Sequence, residues 1–269
     1  MAAFSLICAC LPAVPVGQAA QLRPKTIAAW EQYVQSTEAR FLQEARGSGN
    51  FLWVDGSPER LKEVRAGQVL TEPWSEKNPV SVPDGLIHDW IGAIFLPGAT
   101  LQQTLAVIQD YDHHKDFYQP EVMDSHLLSR RGNDFHYSRL RLLKKGFISA
   151  VLNTVFDAQF VQLDPNRWYC RTVSTHIGEL ENAGKPGQRE LPEGTGQGYL
   201  WRLNAYWKFQ QRDGGVYVEC EALSLTRSIP LGLGWMVGPL TRALPQESLT
   251  ATLRDTRAAV RRGNSSAAK

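Results

Sequence analysis

The stretch DYDHHKDFYQPEV, residues 110–122, sets two adjacent histidines, His113 and His114, among the carboxylates of Asp110, Asp112 and Asp116. Such a set is open to metal ligation, to acid–base catalysis, or to plain solvation at the end of a helix. Neighbouring residues on a helix point about 100° apart, so the two imidazoles do not converge on one ion; helical zinc ligands sit four residues apart. Asp112 suits the cap position of a short helix over residues 113–117. The stretch reads as the polar end of a helix.

The other titratable groups are no more convergent. His88 and Asp89 are neighbours in a strand-like run, so their side chains leave opposite faces and cannot form a couple. His126 and His136 stand alone in strands and read as structural. The 269 residues hold no nucleophile elbow, phosphate loop or zinc-type cysteine spacing. Glu219 and Glu221, with Arg171, Arg202 and Arg227 in nearby strands, form either a polar cluster inside a cavity or a charged outer face. The sequence assigns no catalytic residue, metal ligand or cofactor.

These groups need elements to position them. A hairpin around Asp213-Gly214 pairs Phe209 with Val218, Trp207 with Cys220 and Ala205 with Ala222, making one face dry. Lys208 then lies opposite Glu219, and Tyr206 opposite Glu221, on the other face. As an exposed cross-strand pair, Lys208 and Glu219 are worth about 0–1 kcal/mol. In the run over residues 153–163, Thr154, Phe156, Ala158 and Phe160 share a side. A turn at Pro165-Asn166 adds Val173 and Ile177 to that side and sends Cys170 to the other.

The wider chain reads as strand, helices, six strands and a long helix. Residues 25–46 carry a helical stripe of Ile27, Trp30, Tyr33, Val34 and Phe41. A short helix follows, with Ser57 as cap, Pro58 at its first position and Gly67 past its end. Residues 71–84 hold three prolines and read as a connector. A strand, LIHDWIGAIFLP, and a helix over residues 99–108 precede strands near 122–131, 135–145, 148–163, 167–180, 199–211 and 215–228. The final helix spans residues 231–262, broken or restarted at Pro245. The expected organisation is a leader over residues 1–20, a helical extension and connector over 21–83, a main domain over 84–262 and a disordered tail over 263–269.

Composition bounds the function. With 43% hydrophobic and 21% charged residues and a net charge of +2, the chain is an ordinary globular protein. Nucleic acid demands a clustered basic surface, and with Arg261-Arg262 as the one dense basic spot it is set aside as a partner. The first twenty residues carry no charge, and Gly17-Gln18-Ala19 offers small residues at both recognition positions of a signal peptidase. The apolar run from Phe4 to Val16 is too short for a spanning helix. Export, to a periplasm or the medium, is the expectation. Cleavage removes Cys8 and Cys10. Cys170 and Cys220 are then expected as free thiols, because next-but-one strands lie about 9.5 Å apart, beyond the ~7 Å limit for a bridge, and the deduced faces are opposite.

The stretches GGVYVECEALSLTRSIP and GWMVGPLTRALPQESLTATLRDTRAAV, within this order of elements, resemble the START-like, or SRPBCC, superfamily. The resemblance covers about residues 85–262. It implies an α+β helix-grip fold: a curved antiparallel sheet of about seven strands around a long C-terminal helix, with an N-terminal helical extension. A lipocalin-like barrel would continue strand to strand where this chain has a helix. The resemblance further implies an apolar cavity between sheet and helix, holding a small molecule or lipid. Its expected wall is Phe156, Phe160, Val173, Trp201, Leu203, Trp207, Phe209, Val218 and Trp235. The alternatives are a polyketide cyclase or dehydratase using polar groups at the cavity floor, and an interaction module whose cavity is filled. The glycine-rich run IPLGLGWMVGPL reads either as close packing or as a lid in transient contact with a membrane.

Overall fold

The computed structural model describes residues 20–146, 148–229 and 234–267. The leader with Cys8 and Cys10 lies outside them, as does much of the glycine-rich run. Helix α1, Pro24–Arg46, starts on a proline and buries Trp30, Phe41 and Ala45. Helix α2, Pro58–Arg65, is capped by the Ser57 side chain, which accepts from the Arg60 N–H. Strands β1 (Leu70–Pro73), β2 (Val80–Val82) and β3 (Gly85–Pro97) lead to α3, Leu101–Ile108, and the one-turn α4, His114–Phe117. Then come β4 (Val122–Arg131), β5 (Asp134–Lys145), β6 (Ile148–Asp164), β7 (Arg167–Glu181), β8 (Arg189–Glu190), β9 (Arg202–Arg212) and β10 (Gly215–Arg227). Helix α5, Gly234–Ala267, closes the chain.

The strands form one antiparallel sheet in the order β1-β3-β10-β9-β7-β6-β5-β4, with β2 beside β3 and β8 beside β7. The sheet has ten strands where the sequence reads about seven. The additions pair over two to four residues each, too few to show a period, and two of them fall in the proline-bearing connector. With α5 against one face, this is the expected α+β helix-grip arrangement. Gly92 allows the close approach: a Cβ there would come within 2.7 Å of Leu253 Cδ1 on α5 and of the Leu70 carbonyl. Helix α5 runs unbroken through Pro245, correcting the expected break, and extends through residues 263–267, read in sequence as tail. A proline removes one donor, and the neighbouring turns carry the helix past it.

The β9–β10 register is the expected one, with Phe209 opposite Val218, Trp207 opposite Cys220, and Lys208 opposite Glu219. Its tip holds Asp213 at φ 57° and Gly214 at φ 74°, the two positive values that a type I′ turn requires. The β6–β7 register differs from expectation. Leu163 is an extra residue between the Asp164–Arg167 and Gln162–Trp168 pairs, and this one-residue shift exchanges the two faces of β7 beyond it. Phe160 therefore faces Cys170, and Val173 lies opposite Asp157 on the other side. A second irregularity, at Thr175, brings Ile177 back opposite Thr154. Cys170 and Cys220 each pair with Trp207, so they share a face, contrary to the sequence reading. The strand between them stands, and both are free, buried thiols.

The other face is not solvated. Lys208, Glu219 and Glu221 are each 3% exposed, because α1 and the turn over Trp53–Gly56 cover them. Glu219 accepts the Trp53 N–H at 2.7 Å. Lys208 Nζ reaches Glu44 at 2.7 Å and Glu219 at 3.8 Å. Arg40 pairs with Glu221 at 2.5 Å, and the Tyr33 hydroxyl donates to Asp89 at 2.8 Å. Burial pushes the Glu219 carboxyl up to about 7. Burial, and then the charge of Glu221, pushes Asp89 up to about 8. Parity on the strands was right; the exposure inferred from it was not, since α1 brings the complementary charges.

Candidate functional site

Alternation along the strands sends one apolar row after another toward α5. Phe156 and Phe160 come from β6, Leu203 and Trp207 from β9, and Cys220 and Ala222 from β10. Leu249 and Thr252 of α5 lie across them and leave a cavity of about 230 Å³. Burial grades along it. At one end Tyr111, His114 and Tyr137 are at most 3% exposed; at the other, Leu142, Tyr199 and Leu200 are half-buried and Lys144 is exposed.

The buried end is polar. Strand β5 presents Phe135, Tyr137, Arg139 and Arg141 on one face by simple alternation, and the last three line the cavity. The Tyr111 and Tyr137 rings stack at 3.9 Å, and Tyr137 stacks on Phe156 at 5.2 Å. His114 Nε2 lies 3.0 Å from the Ile108 carbonyl. A carbonyl can only accept, so Nε2 carries the proton and Nδ1 accepts from the Arg139 guanidinium. Burial, and then the charge of Arg139, holds the imidazole well below its ordinary value, so it stays neutral. Arg139 also lies 5.0 Å from the Tyr137 ring centre and 5.6 Å from that of Tyr118. Arg141 donates to Glu121 at 3.4 Å and to Ser248 of α5 at 3.3 Å. Burial pushes Tyr137 up to about 12 and raises Tyr111, so both phenols remain protonated donors.

Of the residues expected in the cavity wall, Phe156, Phe160, Leu203 and Trp207 line it. Phe209 and Val218 are fully buried in the same apolar layer but do not reach the cavity. Val173 is turned away by the Leu163 shift. Trp201 precedes the first residue of β9, where the chain bends, and packs among the residues under α1; alternation had been carried past the strand's end. Trp235 falls in the first turn of α5, and its side chain is outside the described residues. Glu219 and Glu221 lie on the far side of the sheet from the cavity. Arg171 pairs there with Glu38, and Arg202 pairs with Glu193.

The opening stretch splits. His113 is exposed and pairs with Asp110 at 2.7 Å, while His114 is buried in the cavity wall. Asp112 does not cap α4; its carboxylate accepts the Leu127 N–H at 2.9 Å and ties the stretch to β4. The polar end of Tyr111, His114, Tyr137 and Arg139 was missed. Its one signal in sequence was the alternation of Phe135, Tyr137, Arg139 and Arg141. Among the described residues no three His, Cys, Asp or Glu side chains are placed to share a metal ion, and no helix is long and apolar enough to cross a membrane.

No protein-family model matches the chain, and no curated protein matches it in sequence. Solved structures with a similar arrangement include a Thermus thermophilus protein, at 13% identity and TM-score 0.45, over 66% of this chain and 98% of that one. A STAR-related lipid transfer protein from Xanthomonas axonopodis is 16% identical at TM-score 0.47, over 71% of this chain and 99% of that one. The Zhui aromatase/cyclase of a Streptomyces species is 12% identical at TM-score 0.40, over 65% of this chain and 94% of that one. At these identities no ligand or activity carries across.

Proposed function

We propose that this protein binds an apolar small molecule or lipid between sheet and C-terminal helix, and holds it without transforming it. The cavity of about 230 Å³ carries the reading: Phe156, Phe160, Leu203 and Trp207 face space rather than a filled core. At ~30 Å³ per water this is about eight water volumes, enough for about ten non-hydrogen ligand atoms, with more chain at the open end. Apolar burial at about 25 cal/mol per Å² supplies the affinity, so binding should change little with salt. The test is native mass spectrometry of the purified protein for a co-purified ligand, followed by tryptophan emission, compared between wild type and Trp207→Phe, during titration with fatty acids, sterols, quinones and aromatic polyketides. If nothing co-purifies and no probe shifts the emission or the melting temperature, the reading fails.

A cyclase or dehydratase is the second reading, favoured by the convergence of Tyr111, Tyr137 and Arg139 at one end. Against it, both nitrogens of His114 are engaged, which leaves no lone pair to take a substrate proton. Product formation from a linear polyketide mimic, followed by mass spectrometry, would establish it. Export remains our proposal from the uncharged leader; sequencing the N-terminus of protein recovered outside the cytoplasm tests it.

A further inference from the structure

The charged groups around the cavity do not balance. Among the described residues Arg139, Arg141, Lys144 and Arg227 line it, against two carboxylates, Glu121 and Glu247. Both carboxylates are engaged: Glu121 by Arg141 and Ser248, Glu247 by Lys145. Lys144 is exposed and Arg227 is half-buried, donating to the Gln197 carbonyl at 3.5 Å, which leaves Arg139 as the uncompensated group at the buried end. It donates through Nη2 to a neutral imidazole, and its Nε–H is buried with no acceptor. Among the described residues no carboxylate lies within ion-pair distance of it. Arg139 is half-buried, and a guanidinium partly withdrawn from water with no counter-charge is costly. Tyr111 and Tyr137, protonated donors, stand beside it.

We propose that the ligand is an apolar monocarboxylic acid, its carboxylate on Arg139 at the buried end and its apolar body along Phe156, Phe160 and Trp207. This rests on the cavity being a binding site. A carboxylate accepts two N–H groups from one guanidinium and brings the missing negative charge. Arg141 is already committed to Glu121 and Ser248, so at the buried end one cation is open and one charge is matched. At the buried end a phosphate dianion would find only Arg139 open and leave its second charge uncompensated. A neutral alcohol or amide would leave Arg139 as it is.

Octanoate and octanamide have nearly the same shape and differ in charge. Titrated calorimetrically against the full chain at pH 7.5, octanoate is expected to bind at least about tenfold more tightly, the scale of a hydrogen bond to a charged group. Arg139→Gln should bring octanoate down to the octanamide level and leave octanamide within about twofold of wild type. Where Arg139→Gln fails to fold, Arg139→Lys, which keeps the charge and loses the fork, should weaken octanoate selectively. Equal affinity of the wild type for both probes would overturn the acid while leaving the cavity as a binding site. Binding of neither, nor of longer acids and amides, would overturn both.

Discussion

Glu219 offers the sharpest test of the outer layer, because two substitutions there separate hydrogen bonding from charge. In Glu219→Ala the Trp53 N–H loses an acceptor now held at 2.7 Å, while Lys208 keeps Glu44 at 2.7 Å. At pH 5 the buried carboxyl is protonated, so its bond from Trp53 is a neutral one contributing about 0.5–1.5 kcal/mol, and the buried donor left without a partner costs about 1–3 kcal/mol. The expected loss is about 2 kcal/mol at pH 5, a fall of about 4–8 °C in melting temperature for a chain of this size. Glu219→Gln keeps an acceptor and removes the titration. Burial holds the carboxyl at about 7 in the folded protein against 4.5 in the open chain, so the folded state binds the extra proton. Its contribution is whole below about pH 4.5, declines by ~1.4 kcal/mol per pH unit, and is gone above about pH 7. Wild type should therefore lose up to about 3 kcal/mol from this group between those limits, and Glu219→Gln should not. Urea unfolding of the three proteins at pH 5 and pH 8.5 reads both effects. If Glu219→Ala stays within about 0.5 kcal/mol of wild type and Glu219→Gln tracks it at both pH values, Glu219 is solvated and α1 does not cover the sheet.

Three further outcomes are expected. Gly214→Val should destabilise the protein markedly in the same unfolding assay, since φ 74° at the hairpin tip excludes a β-branched residue; an unchanged midpoint would mean another turn. A chain beginning at Ala20 should titrate two thiols when denatured and almost none when native at pH 8, because burial pushes Cys170 up to about 12 and raises Cys220 well above its ordinary value; zero thiols in the denatured monomer would contradict the strand order. His113→Ala should leave ligand binding and stability unchanged, whereas His114→Ala should weaken octanoate binding by freeing Arg139 and should lower the melting temperature. Equal effects of the two would place the histidines differently.

The fold was legible wherever one face of a strand is dry, because a period of two fixes both register and side. The β9–β10 hairpin shows this: its paired apolar residues admit no slip. Alternation fails where a single residue is inserted or the strand stops, and nothing in composition marks either place. Leu163 turned Val173 out and Cys170 in, and the bend before Arg202 took Trp201 away from the cavity. Exposure was illegible for another reason. Whether Glu219 meets water depends on α1, whose Glu38, Arg40 and Glu44 look like an ordinary solvated helix face until the sheet beneath them is known. His114 was hidden likewise, since adjacent histidines on a turn differ only in which way the turn faces.

The outer layer also sets a schedule for the growing chain. Arg40 meets Glu221 across 181 residues, Trp53 meets Glu219 across 166, and Lys208 meets Glu44 across 164. At ~5–20 residues per second, α1 waits about 10–35 s after its own synthesis before β10 exists to receive it. Through that interval its polar stripe of Glu38, Arg40 and Glu44 keeps the helix hydrated while Trp30 and Phe41 have no partner. Closing so long a loop is slow, so we expect the sheet to assemble around α5 and the cavity before α1 docks, and a helix made ahead of every strand to be locked in place after them.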